Sequence, residues 1–227
     1  MVDISEYSQM FRDKKFEEIS IAERTLANGL EALRLQRDLD IINKYAQGPN
    51  FCDFPIGTGR IYPNFQDRFN VFGYDICGVY VDYARSKQPD FVENFQECCF
   101  EDPYDKVKMD TIVSLRVFNN IGDKKTAMKN IARILNNNGV WLLNIPPVLF
   151  NDATFHTNLK QAGFTIEDYY GYDWVSSWKQ MNKLEARFRQ VITKFADLKL
   201  LPYFLYKIID HLMPRKGLIM VVARKTL

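Results

Sequence analysis

The sequence predicts an α/β fold: a largely parallel, doubly wound sheet with helices on both faces. Three observations carry that expectation. Short apolar runs alternate with amphipathic stretches from residue 50 onward. Gly and Pro punctuate them, at Gly48-Pro49, Pro89, Gly139, Pro146-Pro147 and Gly163. The 227 residues are 47% hydrophobic and 26% charged, the balance of one generous globular domain and not of a disordered chain.

The elements follow in order. Over residues 5–46, apolar positions such as Ile19, Leu26, Leu30, Leu33, Leu39 and Ile42 recur at three- and four-residue steps, which reads as helices stopped by Gly48-Pro49. Residues 50–56 form a first strand running into a Gly-containing turn, and 70–76 a second. Residues 78–86 read as a helix closed by Gln88-Pro89-Asp90, 91–98 as a third strand and 109–117 as a fourth. A helix over 123–135 has Asp123 as its N-cap and a turn at 136–139. A fifth strand covers 140–145, a helix 152–161, a sixth strand 164–172 and a seventh 218–223. Ligands of such sheets sit beyond the carboxyl ends of the strands, where strand order reverses.

Composition narrows the function. Thirty basic and 28 acidic side chains nearly cancel at +2, which speaks against a dedicated nucleic-acid binder. Cys52, Cys77 and the adjacent Cys98-Cys99 lack the C-x-x-C spacing of a zinc site, so no metal is expected and the thiols read as reduced and mostly buried, in a cytoplasmic protein. The first residues lack the apolar stretch of a signal peptide, and no run approaches a membrane span. The 17 Phe and 12 Tyr are a high aromatic load.

The turn after the first strand reads Asp53-Phe54-Pro55-Ile56-Gly57-Thr58-Gly59-Arg60. A strand entering G-x-G lets backbone approach a ligand closely. The dinucleotide fingerprint needs a third Gly or Ala where Tyr62 stands, and the Gly-Lys-Ser/Thr of a P-loop is absent. The segment resembles the first motif of the class I S-adenosylmethionine-dependent methyltransferases, with Pro55 where that family usually has its first Gly. Further pieces are similar to the same family in the right order. Gly73-Tyr74-Asp75-Ile76 resembles its G-x-D-hydrophobic signature. Residues 109–121 resemble its fourth-strand pattern, with Asn120 at the common His position. Residues 131–144 resemble its pattern around the fifth strand, with Asn replacing the usual Lys, Pro and first Gly.

The resemblance spans about residues 50–145 and implies a Rossmann-like, seven-stranded sheet with its last strand antiparallel. It implies that S-adenosylmethionine is held by Asp53, Pro55, Gly57, Gly59, Arg60, Asp75, Ile76, Glu97, Cys98, Ser114 and Leu115. Asp75 would accept hydrogen bonds from the ribose hydroxyls, since a carboxylate is acceptor-only. Ile76 would lie against the adenine, Glu97-Cys98 near its amine, and the carbonyls of Ser114 and Leu115 near the ammonium.

The expected organisation is one domain: a helical cover over 1–48, a cofactor-binding core over 49–173, a lid insert over 174–216 and a last strand over 217–227. Tyr169, Tyr170, Tyr172, Trp174 and Trp178, then Tyr203, Phe204 and Tyr206, could face a sulfonium or stack on a substrate, or simply pack the lid. The apolar stretch 198–213 reads as a lid helix, a homodimer surface or a shallow membrane contact. The expected reaction is methyl transfer to a small-molecule acceptor, a hydroxyl of a sugar or related metabolite. His156 and Asp173 are the candidates for a general base. Two alternatives stand beside it: a non-catalytic member that binds cofactor or a partner, and an NAD(P)-dependent oxidoreductase of the same architecture.

Overall fold

A computed structural model describes residues 29–103, 105–172, 183–212 and 217–226. The chain enters through α1 (Gly29–Tyr45), β1 (Asn50–Asp53), β2 (Asn70–Asp75), α2 (Gly78–Lys87), β3 (Phe95–Glu97) and β4 (Met109–Ser114). It continues through α3 (Lys124–Ile134), β5 (Leu135–Ile145), the single turn α4 (Pro147–Phe150), α5 (Ala153–Gln161) and β6 (Phe164–Tyr172). Helices α6 (Lys183–Asp197) and α7 (Tyr203–Leu212) precede β7 (Leu218–Lys225). The sheet has seven strands in the order β3-β2-β1-β4-β5-β7-β6. Strands β1 to β5 are parallel, and β7 is antiparallel to both β5 and β6, as expected of the last strand.

Local chemistry sets the helix starts. Asp123 caps α3, its carboxylate accepting from the Thr126 N–H at 3.0 Å and the Thr126 hydroxyl at 2.7 Å. Asp152 caps α5 by accepting from the Thr154 N–H at 2.8 Å. Alternation along the strands then splits the core in two. Phe51, Val113 and Leu142 face α1 and α2, while Cys52, Ile112, Trp141 and Leu143 face α3 and α5. A smaller cluster ties Leu30 of α1 to Ile192 and Ala196 of α6 and Tyr206 of α7.

Several boundaries differ from the sequence reading. β1 stops at Asp53 because the chain turns at Pro55, and β3 is cut to three residues by a 3-10 segment at Pro89–Asn94. β5 begins at Leu135, directly after α3, so the expected turn at 136–139 lies inside the strand. A shift of register between Met109 and Thr111 and a positive φ of 61° at Asn138 absorb the irregularity. The largest difference lies between β1 and β2. The spacing suits a helix there, but the connection holds only a 3-10 turn, Tyr62–Asn64. Its aromatics fill the space instead: Phe65 stacks on Phe51 with centroids 4.5 Å apart, and α1 covers the same face of the sheet.

Candidate functional site

Strand order reverses between β1 and β4, and a cavity of about 190 Å³ opens at the carboxyl ends of the strands there. Each wall comes from one strand end: Pro55 and Gly57 after β1, Asp75 and Ile76 at β2, Cys98 and Phe100 after β3, and Leu115 and Arg116 after β4. Tyr80 of α2, together with Phe54, Cys99, Glu101, Val117 and Asn120-Ile121, completes it.

Asp75 organises the β1–β2 side. Its carboxylate accepts from the backbone N–H of Gly57 at 2.9 Å and of Cys77 at 2.9 Å. One side chain thus fixes the turn after β1 and the start of α2. Gly57 has a positive φ of 51°, and a Cβ added there would meet nothing within 4 Å, so the turn presents open space. Gly59 differs: a Cβ on it would fall 2.6 Å from the Tyr62 ring. Tyr62 therefore packs where a dinucleotide fingerprint would need its third small residue.

Asp53 is buried at the end of β1, and its Oδ2 has no hydrogen-bond partner. Burial pushes its carboxyl well above the usual carboxylate range; a bond from the Tyr62 backbone and the charge of Arg60 oppose this. A buried carboxyl with an orphaned oxygen suits a cationic group. That oxygen and the open turn at Gly57 are features that fit S-adenosylmethionine, whose amino acid end carries an ammonium.

The β4 side is built from charge. Arg116 has a positive φ of 58°, and its N–H donates to the side-chain oxygen of Asn144. Its guanidinium pairs with the fully buried Asp38 of α1, Nη2 to Oδ2 3.0 Å, without hydrogen-bond alignment. Arg60 lies near Glu31 of α1 at 4.0 Å. Burial, and then the charge of Arg116, lower the pKa of Arg60.

Of the residues expected at the site, Pro55, Gly57, Asp75, Ile76, Cys98 and Leu115 line the cavity. Asp53, Gly59, Arg60, Glu97 and Ser114 are not in its wall. Ser114 is buried, its hydroxyl accepting from the Trp141 indole N–H at 3.0 Å. The Glu97 carboxylate sits over the start of α2, where a Cβ on Gly78 would meet it at 2.6 Å. His156 is exposed, its Nε2–H donating to the Phe150 carbonyl at 2.5 Å, and it is not part of the cavity. Asp173, Trp174 and Trp178 fall outside the described residues. The aromatics of the insert pack elsewhere: Tyr206 is buried, Tyr203 donates to Asp40 at 2.5 Å, and Phe204 faces solvent. Phe54, Tyr80 and Phe100 supply the aromatic wall in their place.

Residues missed from the sequence are Arg116, Asn144 and Asp38. Asp38 carried a signal: it falls on the apolar stripe of α1, between Leu35 and Ile42. A charge at such a position calls for a buried partner.

The sequence profile of a methyltransferase domain matches residues 52–143. Residues 52–143 are a methyltransferase domain. The matched stretch runs from β1 through β5 and carries the whole cavity wall. No curated protein sequence matches the chain. Among solved structures, phosphoethanolamine N-methyltransferase 2 of Haemonchus contortus, in complex with S-adenosylmethionine, is 14% identical with a TM-score of 0.62, over 99% of this chain and 61% of that one. A TehB-like S-adenosylmethionine-dependent methyltransferase from Corynebacterium glutamicum is 18% identical, TM-score 0.56, over 92% and 97%. The cyclase SpnF is 16% identical, TM-score 0.58, over 84% and 80%. These likenesses are likenesses of fold. The oxidoreductase alternative finds no support in them, and Tyr62 blocks its fingerprint.

Among the described residues, no group of His, Cys, Asp and Glu could hold a metal ion, and no helix is long and apolar enough to cross a membrane.

Proposed function

We propose that this methyltransferase acts on a small-molecule acceptor, a hydroxyl of a sugar or a related metabolite. The observation that carries the cofactor site is the placement of Asp75 and the open Gly57 turn on one cavity at the switch point. The bound cofactor supplies a sulfonium methyl group that is already electrophilic. The chain's task is then alignment and exclusion of water. Asp75, anchored by two amides, would hold the ribose, Ile76 and Phe100 the adenine, and Asp53 the ammonium. Residues 1–48 and 174–216 are assigned as cover and lid around the core of 49–173. The protein is assigned to the cytoplasm, where its four free cysteines would stay reduced.

A second reading is a member that binds cofactor or a partner without transfer. One observation favours it: among the described residues, neither histidine lines the cavity. The test is incubation with methyl-labelled S-adenosylmethionine and pools of sugars and other metabolites bearing hydroxyls. Labelled product together with S-adenosylhomocysteine supports transfer. Tight S-adenosylhomocysteine binding with no labelled product from any pool supports the second reading and overturns the first.

A further inference from the structure

Helices α6 and α7 each bury one face and leave the other in water. Ile192, Ala196 and Tyr206 pack against Leu30 of α1. On the outer side lie Val191, Phe195 and Leu198, at four- and three-residue steps, and Phe204, Ile208 and Leu212, at four-residue steps. These six side chains are 47–73% exposed. Single exposed apolar residues are ordinary, but an apolar row over the C-terminal half of α6 followed by another along α7 marks an interaction surface.

Charge names the occupant. Residues 174–216 hold nine Lys and Arg against three Asp and Glu, while the rest of the chain holds 21 against 25. The insert is thus basic on an otherwise acidic protein. Arg187, Lys194 and Lys199 are exposed, while Lys207, though exposed, is turned to Asp40 of α1 at 3.2 Å. A second copy of the chain is disfavoured, because a two-fold contact sets each patch against itself and stacks like charge on like. A nucleic acid would match the charge and leave the apolar stripes unused. A basic amphipathic face with Phe and Leu at its centre is the pattern of a helix lying in the plane of a bilayer surface.

We propose that the outer face of α6 and α7 docks on an anionic lipid surface. Phe195, Phe204 and Ile208 would enter the boundary between headgroups and acyl chains, and the surrounding Lys and Arg would meet lipid phosphates.

Sedimentation of the full chain with vesicles tests this. Vesicles of phosphatidylcholine mixed with phosphatidylglycerol should carry down about tenfold more protein than phosphatidylcholine alone, and added salt should erase the difference. Phe204→Ser with Ile208→Ser should lower partitioning about tenfold, with S-adenosylhomocysteine affinity and thermal midpoint unchanged as controls of folding. Lys194→Glu with Lys199→Glu alters only exposed side chains and should remove the preference for anionic vesicles. It keeps the test open if the apolar variant fails to fold. No sedimentation with either vesicle, or equal sedimentation with both in the wild type, overturns the proposal. So does a wild-type dimer by light scattering that the Phe204/Ile208 variant converts to monomer, since a second copy then covers the face.

Discussion

The two long walls of the cavity are held in different ways. On the β2 side one carboxylate, Asp75, collects two backbone N–H groups, from Gly57 and Cys77. The Ile56 N–H donates to the Tyr74 carbonyl at 2.8 Å, which holds the Gly57 turn against the end of β2, beside Asp75. On the β4 side, Arg116 sits at a positive φ and leans on side chains from distant elements, Asn144 of β5 and Asp38 of α1. The first wall is secured by the sheet itself. The second depends in addition on the docking of α1, which ties that helix to the cavity wall.

Breaking the first wall should have the largest effect on the cofactor. Asp75→Ala leaves two N–H groups without their charged acceptor and removes the proposed ribose ligand. S-adenosylhomocysteine affinity, read by calorimetry, should fall about a hundredfold or more. Unchanged affinity would remove Asp75 from the site. Breaking the second wall should act first on stability. Asp38→Ala leaves Arg116 without its buried counter-charge, and a loss of about 2–3 kcal/mol in denaturant unfolding is expected, less than a wholly buried pair because the Arg116 side chain is 25% exposed. Affinity should fall less than in Asp75→Ala. The reverse order would mean that α1, and not the sheet, holds the cofactor.

The smallest effect concerns Asp53. Its folded pKa is raised by burial, so between the unfolded and folded values the native state keeps a proton that the unfolded state has lost. Stability contributed by this group therefore falls as pH rises from about 4 through the folded pKa. Asp53→Asn should flatten that decline by up to one proton, seen as a shallower change of the urea midpoint with pH. An identical slope in both proteins would show that Asp53 keeps its ordinary ionisation.

What was legible in the sequence follows the same division. The place of Asp75 at the cavity was legible because it is set locally, by a short signature at a strand end next to a Gly turn. The cap at Asp123 and the extent of β6 were equally local. Arg116 was not legible, because its partner lies 78 residues away on a helix and its positive φ leaves no trace in residue type. Spacing alone reports only available length between β1 and β2, and here α1 and the Tyr62–Asn64 turn with Phe65 occupy the volume that an α-helix would take. The insert's aromatics were weighed as site residues, yet Tyr203 and Tyr206 serve its packing on α1. Fold alone cannot choose the acceptor, and the presence of a cyclase among proteins of similar fold makes that concrete.

The strand order has a consequence for how the chain is made. β7, residues 218–225, lies between β5 and β6, and among the described strands β6 has no other neighbour. During synthesis, β1 to β5 are complete long before this stretch leaves the ribosome. Until it does, β5 is an open edge and β6 is a strand with nothing to pair with. A stop codon before residue 218 would thus cost the sheet two strands, not one. The nascent chain would present two ladders of unpaired backbone groups, the surface that chaperones hold and that aggregation exploits.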